Sequence, residues 1–221
     1  MTGWICGPSI DGAGLTGIVD GLNGALRRVP IWLVYLAGAV PAVWLFWLGL
    51  TGGLGPDPAK ALEHRYGKIA LQLLVAGLAV TPLRRLSGVN LLRLRRALGL
   101  LAFFYVVLHL LVWLVLDIQL DLAAIAEDIL KRPYITIGMA GFLMLLPLAL
   151  TSTDSALRRM GAGAWRRLHR LAYPAALAAA VHYVMVVKAW PLEPFVYLGT
   201  ILLLLALRLR WRRRASGAIG G

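Results

Sequence analysis

Six long apolar runs, separated by short segments that collect arginines, prolines and acids, set the pattern of this chain. They cover about residues 31–50, 66–81, 97–116, 134–150, 168–187 and 194–207. A membrane-crossing helix needs about 20 predominantly apolar residues, so the pattern predicts an all-α integral membrane protein. The second, fourth and sixth runs are on the short side, and their ends are expected in the interfacial region. Pro82 is expected to end the second run, while Pro41, Pro147 and Pro174 fall inside the first, fourth and fifth. Between the third and fourth runs, the segment LAAIAEDIL is amphipathic and predicts a short helix lying on the outer surface.

Positive charge orients the bundle. Arg27 and Arg28 precede the first run, and Arg84, Arg85, Arg93, Arg95 and Arg96 lie between the second and third. Arg158, Arg159, Arg166, Arg167 and Arg170 lie between the fourth and fifth, and Arg208, Arg210, Arg212, Arg213 and Arg214 follow the sixth. The alternate connections are nearly balanced, holding for example Asp117, Asp121, Glu127 and Asp128 against Lys131 and Arg132. With six spans all four basic clusters share one side, which the positive-inside rule makes cytoplasmic. The expected architecture is therefore a six-transmembrane-helix bundle with both termini cytoplasmic. Residues 1–29 form a flexible, Gly-rich tail without the charge order of a signal peptide. Residues 30–210 form the bundle, and 211–221 a basic cytoplasmic tail.

Composition narrows the function classes. The chain is 60% hydrophobic with a mean hydropathy of +0.76, and 221 residues leave no room for a sizeable soluble domain beside the bundle. A net charge of +13 would suggest nucleic acid in a soluble protein, but here the arginines sit at span ends as topology signals and anchors for membrane lipids. The single cysteine, Cys6, excludes an internal disulfide and argues against a Cys-based zinc or iron–sulfur site.

The candidate chemistry lies in three histidines. His109 falls in the third run, and His169 and His182 bracket the fifth. A histidine inside a membrane span is costly unless something binds it. His109 and His182 lie about thirteen and fifteen residues into spans that run in the same direction, roughly 18–22 Å from their inner ends. Two neutral imidazoles at one depth on facing helices are what a bis-histidine haem requires. His169 lies at the inner surface, about 20 Å below His182 at the same rise, where a second haem would give a stepping stone. Two features stand against it: an ideal helix places His169 and His182 about 140° apart, and Arg95 and Arg96 occupy the matching depth on the third span. His64, at the outer end of the second span, reads equally as an interfacial polar residue and as part of a docking surface.

The segments LGPDPAKALEHRYGKIAL, TPLRRL, LRLRRALGLLAFFYVVLHL, KRPYITIGMAGFLMLLPLALTST and RRMGAGAWRRLHRLAYPAALAAAVHYVMVVK, in this order and spacing, resemble the membrane haem subunits of bacterial MsrPQ protein-methionine-sulfoxide reductase systems. These belong to the wider ferric-reductase-like transmembrane group. The resemblance implies a b-type cytochrome of the bacterial inner membrane, with His109, His169 and His182 matching the family's haem-associated histidines. It implies haem b, one or two per chain, and associated FMN. It also implies electrons drawn from the quinone pool or a cytosolic flavin reductase and passed to a periplasmic molybdopterin-containing methionine sulfoxide reductase. Such a subunit carries electrons and performs no bond-breaking chemistry of its own. The rival readings are a stand-alone ferric or quinone reductase, and a transporter whose histidines carry protons; no internal repeat favours the latter.

Overall fold

The computed structural model describes residues 11–188 and 191–217, with side chains described for 17–188 and 191–211. Every regular element among them is helical: α1 (Asp11–Arg28), α2 (Ile31–Leu50), α3 (Pro58–Ser87), α4 (Arg95–Val112), α5 (Leu122–Lys131), α6 (Pro133–Leu150), α7 (Asp154–Leu168), α8 (Ala172–Val186) and α9 (Leu192–Gly217). A 3₁₀ turn (Leu92–Leu94) leads into α4, a π-helical turn (Trp113–Asp117) follows it, and a second 3₁₀ turn (His169–Leu171) separates α7 from α8.

Among the described residues five segments are long and apolar enough to cross a membrane: Ile31–Leu50, Pro58–Ser87, Leu92–Asp117, Pro133–Leu150 and Leu192–Trp211. The run expected at 168–187 yields only the 15 residues of α8, about 22 Å at 1.5 Å per residue. The cause is local: the 3₁₀ turn at His169–Leu171 takes up the start of the run. Pro174 then sits in the first turn of α8, where a missing N–H costs little.

Two further expectations change. Pro82 does not end its helix; α3 continues to Ser87 and is capped by Gly88 at φ 76°. A proline inside a helix leaves the carbonyl four residues back without its donor, here that of Leu78. Arg208 of α9 supplies one, with Nη2 donating to the Leu78 carbonyl at 2.6 Å while Nη1 donates to the Tyr173 hydroxyl at 2.9 Å. The tail expected to be flexible also carries a helix. Residues 1–10 lie outside the described residues, but α1 repeats Ile18, Leu22 and Leu26 at a four-residue spacing. Its Asn23 accepts from the Asn90 N–H at 2.8 Å and donates to the Gly88 carbonyl at 3.3 Å, tying it to the α3–α4 connection. At the other end, residues 211–217 continue α9, and 218–221 lie outside the described residues. The amphipathic segment between the third and fourth runs forms α5, whose Asp121 cap accepts from the N–H groups of Ala123 and Ala124.

Two clusters make the core. One joins Leu71, Leu74 and Leu78 of α3 to Ala102, Leu145, Ala175, Ala176, Ala180 and Ile201. Its alanines are fully buried and let helix backbones approach closely, the packing device of helices in lipid, where the hydrophobic effect between helices is weak. The other gathers Ala42, Leu45, Leu62, Tyr66, Tyr105 and Val112. There Tyr66 and Tyr105 donate to the Ala42 and Gly38 carbonyls of α2 at 2.8 and 2.7 Å, binding α2 to α3 and α4 beside Pro41. No charged side chain is buried among the described residues, whereas Trp32, Val43, Trp44 and Leu143 are exposed, as a lipid-facing surface requires.

Arg208→Ala is expected to lower the unfolding temperature of the detergent-purified protein, each charged hydrogen bond contributing about 1.5–3 kcal/mol before allowance for partial exposure. Arg208→Lys, with one ammonium for two acceptors, should recover only part. An unchanged unfolding temperature in Arg208→Ala would mean that the Leu78 carbonyl is satisfied some other way.

Candidate haem site

The two histidines placed at one depth by counting do meet. The rings of His109, in the last turn of α4, and His182, near the end of α8, have centroids 6.1 Å apart and planes crossed at 81°. Each ring is half-buried, and each turns one nitrogen to the backbone of a neighbouring helix. His109 Nδ1 lies 2.9 Å from the Glu63 carbonyl of α3, and His182 Nδ1 lies 2.6 Å from the Tyr134 carbonyl of α6. A carbonyl can only accept, so Nδ1 carries the proton in both rings and Nε2 keeps a free lone pair. This is the outer contact that metal-bound imidazoles make.

The pair fits a haem iron on two counts. The ring centres stand 6.1 Å apart, a spacing that one ion held between the two imidazoles would span. Among the described residues no group of three or more His, Cys, Asp or Glu side chains converges to hold a metal by itself. Two imidazoles alone would suit an iron whose other ligands come from a macrocycle. The backbone carbonyls of Glu63 and Tyr134 were not foreseen from sequence, because a main-chain acceptor has no residue-type signature. Tyr134 also places its ring 6.4 Å from that of His182. His64 is exposed on α3, beside the Glu63 that serves His109.

His169 is not part of this pair. It lies in the 3₁₀ turn after α7, lining a cavity of about 460 Å³ with Arg95, Arg96, Arg166, Arg170 and Tyr173. The 140° argument assumes one ideal helix from His169 to His182, and the 3₁₀ turn breaks that assumption. His169 Nδ1 donates to the Trp165 carbonyl at 3.1 Å, its Nε2 lies 3.5 Å from Ser152 Oγ, and its ring stacks on Trp165 at 3.7 Å. Trp165 in turn donates from Nε1 to the Thr151 carbonyl at 2.9 Å, which fixes the stack. No second histidine lines this cavity. Of the aromatics that flank the histidines in sequence, Trp165 and Tyr173 line it, while Tyr183 packs edge-on to Tyr197 at 6.1 Å. The size falls within the range of small-molecule sites, and the cationic, aromatic lining suits a flat group with an anionic arm.

The wall formed by α7 is tied to α4 through Arg96 Nη2, 2.7 Å from Asp154 Oδ1. That hydrogen bond and charge hold the Asp154 carboxyl below its ordinary value. A carboxyl with a depressed folded pKa adds stability above its unfolded value of about 3.9 and loses it as pH falls through the folded value. The pair is exposed, so its contribution is small. Arg96→Gln is expected to return the Asp154 carboxyl to the ordinary range, followed by carboxyl ¹³C NMR against pH, with stability at neutral pH little changed. An unaltered titration would show that Arg96 is not its partner in solution.

Residues 66–180 match the family described as ferric reductase like transmembrane component. The chain is 52% identical over 179 residues, 81% of its own length and 81% of the relative's, to a protein of Brucella ovis named protein-methionine-sulfoxide reductase heme-binding subunit MsrQ. Relatives of the same name from Brucella canis and Brucella melitensis match to the same extent.

Proposed function

This chain belongs to the ferric reductase-like transmembrane family and, within it, to the MsrQ haem-binding subunits, and from that premise we propose that it is a b-type cytochrome of the bacterial inner membrane. It spans the membrane six times, α8 with its preceding 3₁₀ turn completing the set, and keeps both termini in the cytoplasm, as the arginine clusters require. His109 and His182 would hold the iron of one haem b. The observation that carries this reading is the pair of imidazoles at 6.1 Å with both Nδ1 atoms committed to backbone carbonyls.

Haem, when bound there, supplies one-electron chemistry through its iron. The chain's own part is physical. The Glu63 and Tyr134 carbonyls fix each imidazole's tautomer and rotation, and the packed apolar helices around the pair keep the site in a low dielectric. The inner cavity, with His169, Trp165 and its arginines, takes the entering redox group: FMN, or a second haem with His169 as one ligand. Electrons reach the inner side from the quinone pool or a cytosolic flavin reductase. They leave at the outer face to a periplasmic molybdopterin-containing methionine sulfoxide reductase, docked on the connection around α5 with Asp121, Glu127 and Asp128 near His64. Residues 30–210 form the domain that carries this path.

The test is a reduced-minus-oxidised visible spectrum of the detergent-purified protein with haem counted per chain. A b-type spectrum is expected, lost from the outer site in His109→Ala and in His182→Ala. His169→Ala should keep the outer haem and slow electron entry. Purified protein without haem after expression with ample supply would end the cytochrome reading. Loss of all haem in His169→Ala would end the two-level arrangement.

A further inference from the structure

The two imidazoles are held by the same device on two different helices. His109 reaches the carbonyl of Glu63 on α3, and His182 reaches that of Tyr134 on α6. Four residues beyond each carbonyl stands a glycine: Gly67 after Glu63, and Gly138 after Tyr134. Residues i and i+4 share one face of a helix, one turn apart, so each ring must pass its glycine to reach the carbonyl.

The space there is measurable. A Cβ on Gly67 would stand 3.1 Å from His109 Nδ1 and 3.3 Å from its Cε1. On Gly138 it would stand 2.8 Å from His182 Nδ1 and 3.0 Å from its Cε1. Both glycines lie within regular helix, so no left-handed backbone calls for them. Glycine there costs about 1 kcal/mol of helix propensity relative to alanine. By contrast a Cβ on Gly199 of α9 would meet nothing within 4 Å.

We infer that Gly67 and Gly138 are positioning residues for the metal site, resting on the haem reading of the histidine pair. By withholding a Cβ, each lets an imidazole lie against the neighbouring helix with Nδ1–H on the carbonyl one turn away and Nε2 left free. A methyl group at either place pushes the ring off that carbonyl, which alters both the direction of Nε2 and the basicity the hydrogen bond lends it. The two positions are graded. At Gly67 a shift of a few tenths of an ångström relieves the contact, whereas at Gly138 the contact is closer than real Cβ atoms make, and the imidazole or its helix has to move.

The experiment compares Gly67→Ala, Gly138→Ala and the control Gly199→Ala with wild type, all expressed with ample haem supply and purified alike. It reads haem per chain, the ferric low-spin EPR signal and the midpoint potential, alongside helix content by circular dichroism. Gly199→Ala should match wild type in each. Gly67→Ala should keep its haem with a shifted potential and altered EPR signal. Gly138→Ala should carry about tenfold less haem per chain while keeping its helix content. Wild-type haem content, potential and EPR signal in both Gly67→Ala and Gly138→Ala would overturn the inference while leaving the haem reading intact. Absence of low-spin haem from wild type itself would instead remove that reading, and the inference with it. If Gly138→Ala does not fold, Gly67→Ala decides alone, because its milder contact leaves the fold in place.

Discussion

An imidazole inside a membrane has two nitrogens to satisfy and little water to satisfy them. In this protein each of the two central rings gives its Nδ1 proton to a main-chain carbonyl of a neighbouring helix, at Glu63 and at Tyr134. That commitment leaves both Nε2 lone pairs for a metal, and it links α4 to α3 and α8 to α6 at the level of the site. A backbone acceptor is a strict choice. It cannot be protonated, it cannot swing away, and it admits only one tautomer of the ring. The rest of the bundle is arranged so that four helices hold these two rings with their centroids 6.1 Å apart.

The packing around that centre follows the rules of helices in lipid. Fully buried alanines bring α8 against its neighbours, and side-chain hydrogen bonds to main-chain carbonyls cross between helices. Pro82 frees the Leu78 carbonyl inside α3, and Arg208 of α9 takes it. Tyr66 and Tyr105 reach carbonyls of α2 on either side of Pro41. Hydrogen bonds of this kind hold helices in register in a setting where apolar contact alone is weakly specific. The same economy shapes the cavity at His169, where Trp165 fixes the ring by stacking and by its own carbonyl.

Much of this was legible in the chain, because it rests on hydropathy and on counting. The first apolar run coincides with α2, and the equal depths of His109 and His182 translate directly into ring contact. What was not legible depends on partners distant in sequence or on the main chain. Pro82 reads as a helix end until Arg208, 130 residues from the carbonyl it serves, is in place. The helical α1 is masked by its glycines, although Ile18, Leu22 and Leu26 keep the helical spacing and Asn23 anchors it to Asn90. The run at 168–187 hides a 3₁₀ turn that shortens α8 and moves His169 off the ideal-helix position. Gly67 and Gly138 look like any glycine in a membrane helix until a Cβ is placed on them.

The central claim is that the imidazoles of His109 and His182 bind one iron through Nε2 while their Nδ1 protons stay on backbone carbonyls. Hyperfine spectroscopy of the ferric protein, grown with ¹⁵N-labelled histidine in an otherwise unlabelled chain, tests it most directly. Low-spin haem coupled to two histidine nitrogens, with an exchange-resistant proton on each ring, is the predicted result. Coupling to a single histidine nitrogen, or a high-spin iron with an open position, would contradict it.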